Sequence, residues 1–209
     1  MQAMRRVWPA VLLLAAVACA GPGPDVPPEA RPGAVRMVAV GDSITAADSP
    51  DFAAGDLGPG SWVWHVVGRD VAFAGGWAVW GATTADMAAG VEAHDGDVLV
   101  VLAGTNDAGV PFSETAANLR SVVRTVGVPD VVLSAVPPID ADPARATRLN
   151  DDLADLAETE GWHFVAQPPG ISQDGATFAP GMASDGLHPT EEGAAVLGAA
   201  IGEVVRRVG

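Results

Sequence analysis

The chain of 209 residues has one cysteine, no lysine and four histidines, and each scarcity removes a class of answers. A single thiol, Cys19, cannot close an intrachain disulfide, so apolar packing alone must hold the fold together. With no lysine, all 11 basic residues are arginines, and they face 26 Asp and Glu for a net charge of −15. Such a surface repels phosphate backbones and anionic head groups, which argues against nucleic acid as a partner and against electrostatic docking on a membrane. Solubility accounts for the charge without any acidic-partner role. Neither Gly41 nor Gly104 belongs to a Gly-x-Gly-x-x-Gly pattern, so a dinucleotide fold has no support, and the chain has no internal repeat.

What is present starts with 49% hydrophobic and 18% charged residues, enough chain for one well-buried domain and too little for two ordinary ones. Arg5 and Arg6, the apolar run 11–18 and then Cys19-Ala20-Gly21 read as an export signal over residues 1–20, too short to span a bilayer as a mature helix. Two outcomes fit this segment. Ala18-Cys19-Ala20 suits small-x-small cleavage after Ala20, whereas Ala16-Val17-Ala18-Cys19 resembles a bacterial lipobox and would place a lipid on Cys19. Loss of the signal leaves nine arginines against the same 26 acidic residues. Residues 21–33, with Pro22, Pro24, Pro27, Pro28 and Pro32, read as an extended tether, and a single domain follows over 34–209.

Apolar runs alternate with amphipathic stretches along that domain. Strands are expected at 35–40, 71–74, 97–103, 131–136 and 162–165; the first ends at Gly41, and Gly75-Gly76 ends the second. Helices are expected after Ser61, after Thr83 or Thr84, over 113–126 with Ser113 as cap, over 143–160 with Asp142 as cap and Leu149, Leu153 and Leu156 as its buried stripe, and over 191–208. Trp62 and Trp64 cannot share a helix face, so one belongs in the core. Segments 46–60 and 166–184 are rich in Asp, Gly and Pro and read as loops. Strands alternating with helices give a parallel three-layer α/β/α sandwich on five strands.

Two expected strands stop in the same kind of polar corner, Gly41-Asp42-Ser43 and Gly104-Thr105-Asn106-Asp107, and chemistry in open α/β sheets gathers at the carboxyl ends of strands. Ser43 stands where a nucleophile would be displayed, and it needs a base. His65, His94 and His163 sit in an early helix, a surface turn and a strand, where structural roles suffice. His188 differs, since it precedes the last helix and has Asp185 three residues earlier, so one turn can hold both. An Asp that accepts from the imidazole would fix its tautomer while Ser43 gives up a proton. An oxyanion would need fixed donors, which the Asn106 side chain and the backbone N–H groups of Gly81 and Ser43 offer. Trp77 and Trp80, just before Gly81, could wall off a small acyl pocket, stack on a sugar or simply pack in the core.

Together these blocks resemble the SGNH hydrolases, also called GDSL esterases/lipases. Gly41-Asp42-Ser43-Ile44 looks like the family's nucleophile block, Gly81 like its oxyanion glycine, Gly104-Thr105-Asn106-Asp107 like its G-x-N-D block and Asp185-Gly186-Leu187-His188-Pro189 like its D-x-x-H block. The asparagine often found shortly before the oxyanion glycine is absent from 75–80. The resemblance implies a flavodoxin-like fold and an acyl-enzyme on Ser43, with His188 as acid/base, Asp185 orienting it, and no metal or organic cofactor. It further implies ester, thioester or acetylated-sugar substrates. The expectation is an extracytoplasmic serine hydrolase for short-chain esters, acetyl foremost, secreted or lipid-anchored. The alternatives are a lipase or thioesterase for longer chains, and a carbohydrate-binding module on the same scaffold.

Overall fold

A computed structural model describes residues 26–209, so the expected export signal, Cys19 and the first part of the tether lie outside the described residues. Five strands form one parallel sheet: β1 (Val35–Gly41), β2 (Val71–Ala78), β3 (Val98–Leu102), β4 (Asp130–Ser134) and β5 (His163–Val165). Their order across the sheet is β2-β1-β3-β4-β5, the flavodoxin-like arrangement. The direction of winding reverses between β1 and β3, and in such sheets the crevice beyond the carboxyl ends at that reversal is where ligands bind. Both polar corners noted in the sequence fall there.

The central strands are apolar because both faces are covered. Every residue of β3 is buried, as is β1 from Met37 onward. One face packs against α2 (Trp62–Val66) and α6 (Glu191–Val208), which touch each other. The other packs against α3 (Thr84–Gly90), α4 (Phe112–Val126) and α5 (Pro143–Glu160), joined in sequence as α3 to α4 to α5. Caps expected from the sequence are formed: Ser61 accepts from the Val63 N–H, Thr83 and Asp86 make a reciprocal capping box, and Asp142 accepts from the Arg145 N–H. Trp62 is the buried member of the early tryptophan pair. Among the described residues no helix is long and apolar enough to cross a membrane.

Several boundaries differ from expectation for identifiable reasons. Strand β2 does not end at Gly75-Gly76 but continues through Trp77 and Ala78, and the pairing with β1 shifts register between Met37 and Ala39. The glycines carry a bulge rather than a stop. At Gly76 the backbone adopts φ +150°, and a Cβ there would lie 1.9 Å from the Ala39 carbonyl oxygen. The irregularity moves Trp77 onto the strand and carries the chain closer to the crevice before it turns. Helix α4 starts at Phe112 after Pro111, with no side-chain cap, so Ser113 sits in the first turn instead of capping it. In α5, Leu153 and Leu156 are buried while Leu149 is half-buried at the rim beside Gly104. One turn of helix, α1 (Ser43–Ala46), forms directly after β1, ahead of the loop, and includes Ser43 itself.

Candidate active site

The chain leaves β1 at Gly41 and turns directly into the four residues of α1. Asp42 caps that turn, its Oδ1 accepting the Ile44 N–H at 2.9 Å. Capping fixes Ser43 as the first helical residue, buried but for 7% of its surface, with its backbone N–H in the first turn where no intrahelical acceptor exists. Ser43 Oγ lies 3.0 Å from His188 Nε2. The other ring nitrogen, Nδ1, lies 2.8 Å from Asp185 Oδ2. An ionised carboxylate only accepts, so Nδ1 carries the proton and Nε2 is left as acceptor for the serine hydroxyl.

Asp185 is held independently of the ring, because its Oδ1 accepts the N–H groups of His188 at 2.8 Å and Leu187 at 3.0 Å. Those bonds, with the His188 backbone N–H foremost and its ring next, pull the carboxyl down to about 2. It stays ionised wherever the imidazole does useful work. The segment is pinned at both ends: Ser184 N–H donates to the His188 carbonyl, Thr190 N–H to the Met182 carbonyl, and Thr190 Oγ1 caps α6 at Gly193. The three residues named from the sequence are thus in hydrogen-bond contact across a separation of 145 residues between Ser43 and His188.

Asn106 lies in the corner beyond β3, half-buried, with Nδ2 3.0 Å from the Ala82 carbonyl and 3.4 Å from Asp42 Oδ2. Gly81 is exposed at φ +73° in the turn closed by the Ala82 N–H on the Val79 carbonyl, a conformation that costs a glycine nothing. Both polar corners therefore meet the Gly81 turn at one place. What locks them together is Asp107, which is buried and accepts from the Thr84 N–H at 2.9 Å, from Thr84 Oγ1 and from Thr115 Oγ1 at 2.7 Å. Sequence reasoning gave Asp107 no role, and only its place beside Asn106 hints at one.

Asp42 also escaped that reading as more than a turn residue. It is fully buried, and burial pushes its carboxyl up to about 6 against the opposing pull of the Ile44 N–H and His188.

The two tryptophans border one cleft with Val79, Gly81, Ala82 and Asp86. Trp77, on β2, is half-buried with its indole against α3 at Gly90. Trp80 is 62% exposed, yet held: its indole N–H donates to the Ala47 carbonyl at 2.9 Å, and its ring stacks on the His188 imidazole with centroids 5.3 Å apart and planes 27° apart. Of the other histidines, His65 bonds the Pro59 carbonyl and His94 lies against Gly75, both structural contacts, and His163 is exposed on β5. Among the described residues no group of three or more His, Cys, Asp and Glu is placed to hold a metal ion.

The family model of the GDSL-like Lipase/Acylhydrolase family matches residues 39–196. No curated protein matches the chain. Solved structures do. An acetylxylan esterase from Geobacillus stearothermophilus is 21% identical, with a TM-score of 0.64 over 83% of this chain and 95% of its own. A GDSL-like lipase from Bacteroides thetaiotaomicron is 20% identical, with a TM-score of 0.60 over 83% and 88%. A member of the lipolytic G-D-S-L family from Veillonella parvula is 17% identical, with a TM-score of 0.63 over 82% and 98%. At these identities the likeness is one of fold, and the match of the family model over three quarters of the sequence carries the assignment: this chain belongs to the GDSL-like Lipase/Acylhydrolase family and is a hydrolase.

Proposed function

We propose that this hydrolase cleaves short-chain carboxylic esters, acetyl esters foremost, through an acyl-enzyme on Ser43. The observation that carries this reading is the unbroken line of hydrogen bonds from Ser43 Oγ through His188 to Asp185. As Oγ attacks the ester carbon, its proton passes to Nε2, the C–O double bond opens and the oxygen becomes an anion. The imidazolium so formed lies against the Asp185 carboxylate. The N–H groups of Ser43 and Gly81 and the side chain of Asn106 are the donors available to that oxygen. Collapse expels the alcohol oxygen, which takes the proton from Nε2. Water then attacks the acyl carbon and gives one proton to the same nitrogen; the carboxylic acid leaves, keeping water's other proton until it ionises in solution, as Ser43 Oγ recovers the first from Nε2.

Several features favour a small acyl group. The cleft beside Gly81 is bounded by two indoles, and the segments 46–60 and 166–184 that flank the site are Asp/Gly/Pro-rich and carry no amphipathic helix to serve as an apolar lid. An exposed indole at the mouth also suits the face of a sugar ring, and one fold relative is an acetylxylan esterase. The acidic composition favours a neutral ester over an anionic lipid interface. The N-terminal pattern supports export of the enzyme, with Cys19 as lipid anchor.

Ser43→Ala is expected to abolish turnover of p-nitrophenyl acetate and labelling by a fluorophosphonate while leaving the melting temperature unchanged. Across acetate, butyrate, octanoate and palmitate esters, kcat/KM of the wild type should fall. Labelling of another serine with Ser43 untouched would remove the mechanism, and a rise toward palmitate would remove the substrate class.

A further inference from the structure

The indole of Trp80 makes two contacts that join three parts of the site. Its N–H is tied to Ala47, the residue that ends α1, whose own N–H donates to the Ser43 carbonyl at 2.8 Å. Ala47 holds φ +43°, the sole positive φ at a non-glycine position among the described residues. A backbone outlier of that kind carries strain and persists where surrounding contacts over-determine it. Here it turns the Ala47 carbonyl toward Trp80. The face of the indole then lies along the His188 ring. Trp80 is thereby referenced to the same short helix that carries the nucleophile, and it is referenced there although most of its surface faces solvent.

Hydrogen bonds alone do not hold the imidazole through a whole turnover. With Ser43 free, the ring is fixed at both edges, by Oγ and by Asp185. Once Oγ is acylated it has no proton to donate, and the ring retains only the Nδ1 bond to Asp185, about which it can swing. A planar wall against one face of the ring blocks that swing without occupying Nε2. We propose that Trp80 is a positioning residue for His188, keeping the imidazole aligned when its bond to Ser43 is broken. This rests on the acyl-enzyme reading above, and it assigns the inner face of Trp80 to catalysis whatever the outer face binds.

The test uses the full enzyme with p-nitrophenyl acetate, a substrate with no sugar to stack. Trp80→Ala should lower kcat by about 10–100-fold, the scale of loss when a reacting group is displaced by around 1 Å. The loss should fall on deacylation, so p-nitrophenol should appear as a burst, and fluorophosphonate inactivation, which starts from the free enzyme with the Ser43–His188 bond in place, should slow much less than kcat. Trp80→Phe keeps an aromatic face but not the N–H bond to Ala47, so its kcat should lie between those of Trp80→Ala and the wild type, and both variants should still fold. Labelling at Ser43 in the wild type, and its loss in Ser43→Ala, test the acyl-enzyme reading separately from any result with Trp80. Unchanged kcat in Trp80→Ala, with KM raised only for an acetylated oligosaccharide, would make Trp80 a sugar platform and overturn the proposal. A kcat in Trp80→Phe below that in Trp80→Ala would overturn it too, since an aromatic face would then not be what helps.

Discussion

Asn106 has two amide hydrogens, and the structure holds them unequally: 3.0 Å from Nδ2 to the Ala82 carbonyl is a sound bond, while 3.4 Å to Asp42 Oδ2 is a weak one. The first fixes the orientation of the side chain, and the second leaves a donor that an oxyanion can draw away at small cost. Asn106→Ala should lower kcat about 10²–10³-fold with KM little changed, the usual loss for one oxyanion donor. Full kcat in steady-state assays would reduce Asn106 to a turn residue. Asp42 makes a prediction of opposite character. Its folded carboxyl is raised to about 6 from an ordinary 3.8, so between those values the folded state holds the proton that the unfolded chain releases. Stability from this group is therefore full below about pH 4 and lost as pH rises through about 6, by about 3 kcal/mol if the whole shift is realised. Asp185, lowered to about 2, acts in the other direction and only at lower pH. Urea unfolding of wild type and Asp42→Asn at pH 4.5 and 7 isolates the effect: the variant should gain relative to wild type as pH rises, and a constant difference would refute it.

Among the elements, β2 decides the geometry of the cleft. Had it stopped at Gly75, as apolar patterning predicts, Trp77 would belong to a loop. Instead the bulge at Gly76 lets the strand continue beside β1 to Ala78 and delivers Trp80 and Gly81 to the carboxyl end of the sheet, where Ser43 is. Only glycine fits there, since a Cβ would run into the Ala39 carbonyl. Gly76→Ala combines backbone strain with overpacking and should cost about 2–4 kcal/mol. Thermal melts should show it, and the surviving folded fraction should have a lowered kcat because the Gly81 turn moves with the strand. A variant that melts like the wild type would mean that the register of β1 and β2 is loosely set. The corner after β3 is fastened separately, through Asp107 to Thr84 and Thr115, which accounts for two loops from different crossovers meeting at one donor site.

For the molecule as a whole, the sheet order places the reversal of winding between β1 and β3, and the two strand-end corners that carry Ser43 and Asn106 are neighbours for that reason. The candidate catalytic face is thus one end of the sandwich. The tether enters elsewhere: Arg31 N–H donates to the Arg69 carbonyl, and β1 starts at Val35, at the amino end of the sheet. A lipid on Cys19 would then hold the domain by the end opposite its active site and leave the cleft open to a bulky ester. The native protein should partition into detergent, and Cys19→Ser into the aqueous phase, since a lipid anchor is the sole apolar element proposed for membrane attachment. Intact mass showing a mature chain beginning at Gly21 would refute lipidation.

The sequence by itself determined the alternation of elements and most helix caps, and it singled out Ser43, Asn106, Asp185 and His188 as candidates, because these depend on local signals: apolar runs, a capping side chain, a polar corner after a strand. It also determined that Asp185 and His188 can share a turn, being three residues apart. Only the tertiary structure decided what depends on contacts far along the chain. The extension of β2 rests on a glycine meeting the backbone of Ala39, and the burial of Asp42 on the elements packed around α1. Asp107 acquires a role only when Thr84 and Thr115 arrive beside it. Trp80 was legible as an aromatic near Gly81, but its ring on His188 and its N–H on Ala47 come from three segments that no local pattern links. A propensity acts over a turn or a strand, whereas a site at the end of a parallel sheet is assembled from crossovers, and its geometry exists only once they have packed.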